Sequence, residues 1–239
     1  MKKLFTFIMI LLLVFGFTGC SIIPNKTNVK KNQVVTPVRE KKNKDEEKEV
    51  EEKEVTELSK NITHEEEQIE NGKLVLFAEN KNDIAVNLFV TVEFYEKDEL
   101  KVTDKESLYG VGAKNKIAVS IYDTPDTYDS YKVSIEAKDE KSYKCYTDKL
   151  EVIDSEEDDK VVIQATNKSE AIIDYVSISV VYYKDGKAVG LSTGFDSTIK
   201  PDKTANFNIY PAYTKDYEYV EYDTYKVFIN QVYSYTFDY

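Results

Sequence analysis

The chain of 239 residues has no tryptophan, two cysteines, two methionines and one histidine, His64. These scarcities remove whole classes of chemistry. A histidine-ligated metal, a Ser-His-Asp triad or a Cys-His dyad would each have to use His64. Cys145 could pair only with Cys20, so stability has to come from hydrophobic cores rather than from disulfide staples. The eight glycines form neither a phosphate-cradling loop nor a nucleophile elbow. Beyond residue 20 no stretch is apolar enough to span a bilayer, which takes about 20 apolar residues.

What is present begins with a leader. Lys2 and Lys3 precede a run from Leu4 to Phe17 that is apolar except for Thr6 and Gly16, followed by Thr18, Gly19 and Cys20. The layout is that of a cleaved secretory signal. Phe17-Thr18-Gly19-Cys20 resembles the lipobox of bacterial lipoproteins, with Phe17 where that family usually has leucine. The resemblance implies a signal peptide over 1–19 and a diacylglyceryl thioether on Cys20. The mature chain would then be lipid-anchored on the extracytoplasmic face of a cell membrane, since two or more acyl chains hold firmly where one does not.

Without residues 1–19, which carry two lysines and no acid, thirty bases face forty-four acids, a net charge of −14. Nucleic acid is therefore not an expected partner, because phosphate binding needs basic patches. Residues 20–70 read as a charged tether. From Lys26 to Lys44 seven bases face Glu40 alone, and from Asp45 to Glu70 acids dominate. Such a segment contains too little apolar surface to offset the entropy of ordering. Glu46 to Leu58 reads as a lone charged helix, and Thr63 with Glu66 has capping-box spacing around the exposed His64.

Past residue 71 the texture turns to alternation, and it does so twice. Ala78-x-Asn80-Lys81 recurs as Ala165-x-Asn167-Lys168. Leu88, Val90, Val92 and Phe94 fall on Val176, Ile178, Val180 and Tyr182, and YDSYKVSI (Tyr128–Ile135) recurs as YDTYKVFI (Tyr222–Ile229). Each matched set has period two, so it is one inward face of a strand, and what repeats is a core pattern. The expected fold is all-β: two tandem immunoglobulin-like antiparallel β-sandwiches, over 71–154 and 155–239. A unit of about 85 residues can bury roughly 60% of its unfolded surface. The second copy should have strands near 160–166, 173–184, 187–198, 203–210, 224–233 and 234–238. A hairpin is expected at Lys184-Asp185-Gly186-Lys187 and a turn at Lys200-Pro201-Asp202-Lys203.

VVYYKDGKAVG (Val180–Gly190) followed by IKPDKTANFNI (Ile199–Ile209) resembles the FxLYD modules of bacterial envelope lipoproteins. Lys184 interrupts that family's Tyr-Asp pair, and Asp202 replaces its glycine. The resemblance implies an extracytoplasmic sandwich and transfers no catalytic residue.

Cys145 reads as a small buried hydrophobe. The run Ser155-Glu156-Glu157-Asp158-Asp159 reads as a solvated acidic hinge between the copies. It is also the one place that offers calcium a site, although the spaced Asp-x-Asn/Asp-x ligand pattern is missing. No other cofactor is expected. Nine tyrosines lie between Tyr210 and Tyr239, and Tyr213, Tyr217, Tyr219 and Tyr222 are the candidate binding surface, since tyrosine supplies apolar area with a polar tip. The expected function is noncatalytic binding or scaffolding of an envelope protein or glycan, in the Gram-positive style. The alternatives are a solute-binding or accessory subunit of a transporter, and a carboxylate-based hydrolase.

Overall fold

In the computed structural model the described residues are 57–139 and 141–236. The leader, Cys20 and the tether up to residue 56 lie outside them. The tether was expected to reach residue 70, but residues 57–60 are helical and a strand already starts at Ile62.

The first half contains β1 (Ile62–Gln68), β2 (Leu74–Asn80), β3 (Val86–Glu96), β4 (Glu99–Val111), β5 (Lys116–Ile121) and β6 (Ser130–Lys138). The second contains β7 (Tyr143–Cys145), a 3-10 turn at Thr147–Lys149, β8 (Leu150–Glu157), β9 (Lys160–Asn167), β10 (Tyr175–Lys184), β11 (Lys187–Asp196), β12 (Thr204–Ile209) and β13 (Thr224–Tyr235). All pairings are antiparallel, in four sheets ordered β1-β2-β5, β4-β3-β6, β8-β9-β12 and β11-β10-β13-β7. The fold is all-β and sandwich-like, and the strand order of the first two sheets recurs in the last two. Strands 224–233 and 234–238, expected separately, are one strand that ends at Tyr235.

Alternation explains the layers. In β12 the pattern TANFNI buries Ala205, Phe207 and Ile209 and exposes Asn206 and Asn208. One apolar cluster gathers Leu76, Leu88, Val90, Val92, Phe94 and Ile117, and another gathers Ile163, Val176, Ile178, Val180, Tyr182 and Phe207. Burial of this kind contributes roughly 25 cal/mol per Å² of apolar area.

The repeated polar residues serve the same packing. Asn80 and Asn167 are both fully buried. Asn80 Nδ2 donates to the carbonyls of Ile84 and Gly112 at 2.9 Å each, and its Oδ1 accepts from Asn82 N. Asn167 Nδ2 donates to Ala171 O and Ile199 O at 2.8 Å each, and its Oδ1 accepts from Ser169 N. Each asparagine thus ties together the carbonyls of two separate turns and finds partners for its own buried carboxamide.

The twin octapeptides are explained in the same way. Tyr128 packs on Phe94 with ring centroids 5.0 Å apart, and Tyr222 packs on Tyr182 at 4.8 Å. The following aspartates tie down the β3–β4 hairpin in the first half and the β10–β11 hairpin in the second. Asp129 Oδ2 accepts from Lys97 N at 2.7 Å, and Asp223 Oδ2 accepts from Asp185 N at 2.9 Å.

The described residues nonetheless form one compact unit. A third apolar cluster (Ile69, Val75, Ala118, Val181 and Ala188, with Phe77 and Phe228) draws on both halves. β13 carries a bulge opposite Ser177/Ile178 that leaves Asn230 without a strand partner. Asn230 turns instead to the first half, donating to Ala118 O at 2.9 Å and accepting from Ala118 N at 3.0 Å. Its neighbours do likewise: Asn115 Nδ2 donates to Ile229 O at 2.7 Å and Tyr109 N donates to Gln231 Oε1 at 2.8 Å. Tyr109 also stacks on Tyr143 at 4.7 Å, and Tyr143 meets Tyr233 edge-on at 4.9 Å. Gly110, at φ +63°, permits this approach, since a Cβ there would lie 2.8 Å from Tyr233 Cβ.

Candidate functional site

The tyrosine-rich loop after β12 is held firmly. Val220 N donates to Ala212 O at 2.9 Å and Thr214 N to Glu218 O at 2.8 Å. Ala212 and Val220 are buried against Gly190, where an added Cβ would meet both at 2.9 Å. The loop therefore folds as a small ladder with a bridge between Tyr213 and Tyr219.

Of the four tyrosines expected there, two come together. Tyr213 and Tyr219 stack with centroids 4.7 Å apart and planes 19° apart, and their hydroxyls are 3.2 Å apart. Tyr210, which the tyrosine count did not single out, also lies parallel to Tyr219, with centroids 6.4 Å and planes 16° apart. All three rings are exposed. The Tyr219 hydroxyl is held above its ordinary pKa, first by its hydrogen bond with Tyr213. Tyr217 stands alone at the tip at φ +63°, 85% exposed. Tyr222 is half-buried and lies apart from the stack: it packs over Tyr182 and donates to Glu156 at 2.6 Å. Burial and that carboxylate push its pKa up to about 12.

Glu156 belongs to the acidic run that was expected to be a hinge. The run is instead the end of β8 and its hairpin turn into β9, with Asp158 at φ +53°. Among the described residues no three His, Cys, Asp or Glu side chains are placed together to hold a metal ion. Cys145 is half-buried rather than buried, with Sγ 3.2 Å from Gly110 O and 3.3 Å from Thr147 Oγ1. His64 is exposed as expected, but it sits on β1 with Nδ1 2.5 Å from Glu66 Oε1. No helix forms there.

One concavity adjoins the tyrosine stack at Tyr210, and a second shares two of its lining residues. A groove of about 310 Å³ runs along the seam between β11 and β12, lined by Ser192, Thr193, Phe195, Asn206, Asn208 and Tyr210 among others. A second, of about 330 Å³, lies where the halves meet. Glu106, Val119 and Tyr122 of the first half face Tyr175, Ser177, Thr193, Phe195 and Gln231 of the second. Thr193 and Phe195 line both. Phe195 is 73% exposed and Tyr122 is 62% exposed. Glu106 is half-buried, and its pKa is raised by burial first and then by Asp104 and Asp123. A larger groove of about 450 Å³ beside β1 has several lining residues engaged in contacts between strands. Glu67 accepts there from Ala188 N at 2.9 Å, and Lys226 lies over the Tyr183 ring at 5.1 Å.

Sequence reasoning missed Phe195 and Glu106 because each is a single residue in an ordinary strand. Only the folded junction brings them within one cavity. No protein-family model, curated protein or solved structure matches this chain.

Proposed function

We propose that this chain is a lipid-anchored, extracytoplasmic lipoprotein of a bacterial envelope, built from two copies of one β-sandwich module and acting as a noncatalytic binding or scaffolding module. The observation that carries the reading is the stack of Tyr210, Tyr219 and Tyr213, three exposed rings fixed by a backbone ladder. An ordered aromatic surface loses little entropy when a partner covers it, and tyrosine is enriched at such surfaces for that reason. The lipobox-like leader and the FxLYD-like run Val180–Ile209 support an envelope location and a binding role.

The hydrolase alternative would use Glu106, whose raised pKa suits a general acid. Glycoside hydrolysis needs a second carboxylate across the cleft; the carboxylates near Glu106, Asp104 and Asp123, are not among the cleft-lining residues, and those facing Glu106 are aromatic, hydroxyl and amide side chains. That lining supports binding over hydrolysis.

The test is capture of envelope components by the acylated full-length protein, compared with a Tyr213→Ala/Tyr219→Ala variant. The expected outcome is specific capture that falls about tenfold in the variant, as for loss of an interface hot spot. Equal capture by both proteins rejects the stack as the binding surface.

A further inference from the structure

We propose that the seam groove and the junction cleft form one track that binds a linear, uncharged glycan. The proposal rests on the binding reading above and names the ligand class and its path.

Continuity is the first argument. The two concavities share Thr193 and Phe195, and the seam groove ends at Tyr210, the first ring of the tyrosine stack. A path lined at intervals by exposed aromatic rings (Tyr210, Phe195, Tyr122) suits an extended polymer better than a compact ligand.

Charge is the second. Residues with ionised side chains make up 32% of the chain, yet none of the nine that line the seam groove is Asp, Glu, Lys or Arg. A polyanion would find no cation there, and a basic peptide no carboxylate. Asn206 and Asn208 face outward from β12, and their carboxamides have no hydrogen-bond partner among the described residues. A carboxamide both donates and accepts, which matches a hydroxyl-rich ligand without net charge. The exposed ring faces carry the negative side of an aromatic quadrupole, against which the C–H face of a pyranose can lie.

The third argument disfavours a peptide strand. β11 and β12 are sheet edges, but the Phe207 ring already fills the space at Gly194, where an added Cβ would lie 2.9 Å from its Cδ1. A strand inserted between them would need about 4.8 Å on each side.

At the junction end, the Glu106 carboxylate has no hydrogen-bond or ion-pair partner among the described residues and lies opposite Tyr175 and Phe195. It accepts from sugar hydroxyls, and such charge-assisted hydrogen bonds are stronger than neutral ones. The pKa of this carboxyl is raised by partial burial first and by the nearby Asp104 and Asp123 carboxylates second, so donors brought by a ligand would favour its ionised form.

The test uses the mature chain with Cys20→Ser, titrated calorimetrically with chitohexaose, cellohexaose and mannohexaose, each beside its trimer. The expected result is saturable binding of at least one hexamer, about tenfold tighter than its trimer because the track exceeds three rings. Phe195→Ala and Glu106→Gln should each weaken it about tenfold, equivalent to about 1.4 kcal/mol. Phe195 is exposed, so its variant should keep the wild-type unfolding midpoint. No saturable binding of any hexamer below about 10 mM, or binding indifferent to Phe195→Ala, overturns the proposal. Binding of an uncharged extended decapeptide in place of the sugars, lost with Phe195→Ala, overturns it too. The two readings fail separately. Envelope capture lost with the Tyr213/Tyr219 variant but no hexamer bound sinks the glycan track alone. Hexamer binding with envelope capture indifferent to those tyrosines sinks the tyrosine stack alone.

Discussion

β6 and β13 begin with the last six residues of the twin octapeptides and treat their neighbours alike, up to a point. Tyr131, Val133 and Ile135 of β6 pair with Phe94, Val92 and Val90, and Tyr225, Val227 and Ile229 of β13 pair with Tyr182, Val180 and Ile178. Past that point they part. β6 continues in register, with Glu136 opposite Phe89 and Ala137 opposite Leu88. β13 has one extra residue, Asn230, before Gln231 resumes pairing with Ser177. The duplicated core is thus kept intact, while one unpaired residue redirects a carboxamide into the other half. The recurring strand order gives two similar cores, and a single bulge in β13 ties the second half to the first.

The comparison can be broken at several depths. The largest effect is expected from Phe94→Ala and Tyr182→Ala, equivalent fully buried aromatics. Each should lower stability by about 3–5 kcal/mol in urea titrations, and unequal losses would show that the cores are not equivalent. Asn230→Ala should cost about 1–3 kcal/mol, because Ala118 loses partners for both its N–H and its C=O in a buried place. Amide exchange at Ala118 should quicken while that of Val90 and Val180 does not, and unchanged exchange would refute the joint. Asp129→Ala and Asp223→Ala, which remove equivalent hairpin ties, should each cost about 1 kcal/mol. The smallest effect concerns Glu106. Its folded-state pKa is raised, so the ionised form is disfavoured in the fold. The penalty is fully present above the folded pKa, shrinks as pH falls through it, and is gone below the ordinary carboxylate value. Glu106→Gln should therefore raise the unfolding midpoint at pH 7 and lose that advantage near pH 4.

The inward faces were legible because alternation is a local signal: the positions from Leu88 to Phe94 and from Val176 to Tyr182 lie where period two puts them. β1 and β8 were not legible. ITHEEEQ and LEVIDSEE are edge strands with mostly exposed, charged side chains, so they look like tether and hinge. They are strands because β2 and β9 offer them backbone partners, and their acids keep those edges from pairing further. The candidate surface was half legible. A count of tyrosines finds the loop but cannot separate Tyr222, which covers the core, from Tyr213 and Tyr219, which stack outside it. The octapeptide twin held that distinction, since the counterpart of Tyr222 is Tyr128, a residue with the same packing role.

The bulge at Asn230 also bears on how this chain could be divided. Were it severed within 139–142, each piece would keep a ready-made sheet yet lay bare a greasy flank, Val75 and Ala118 on one and Val181 and Phe228 on the other. Neither would be a bead that slides off a string. A protease that nicked the joint would leave the two pieces clasped, and shuffling a single copy into another gene would carry a sticky scar with it.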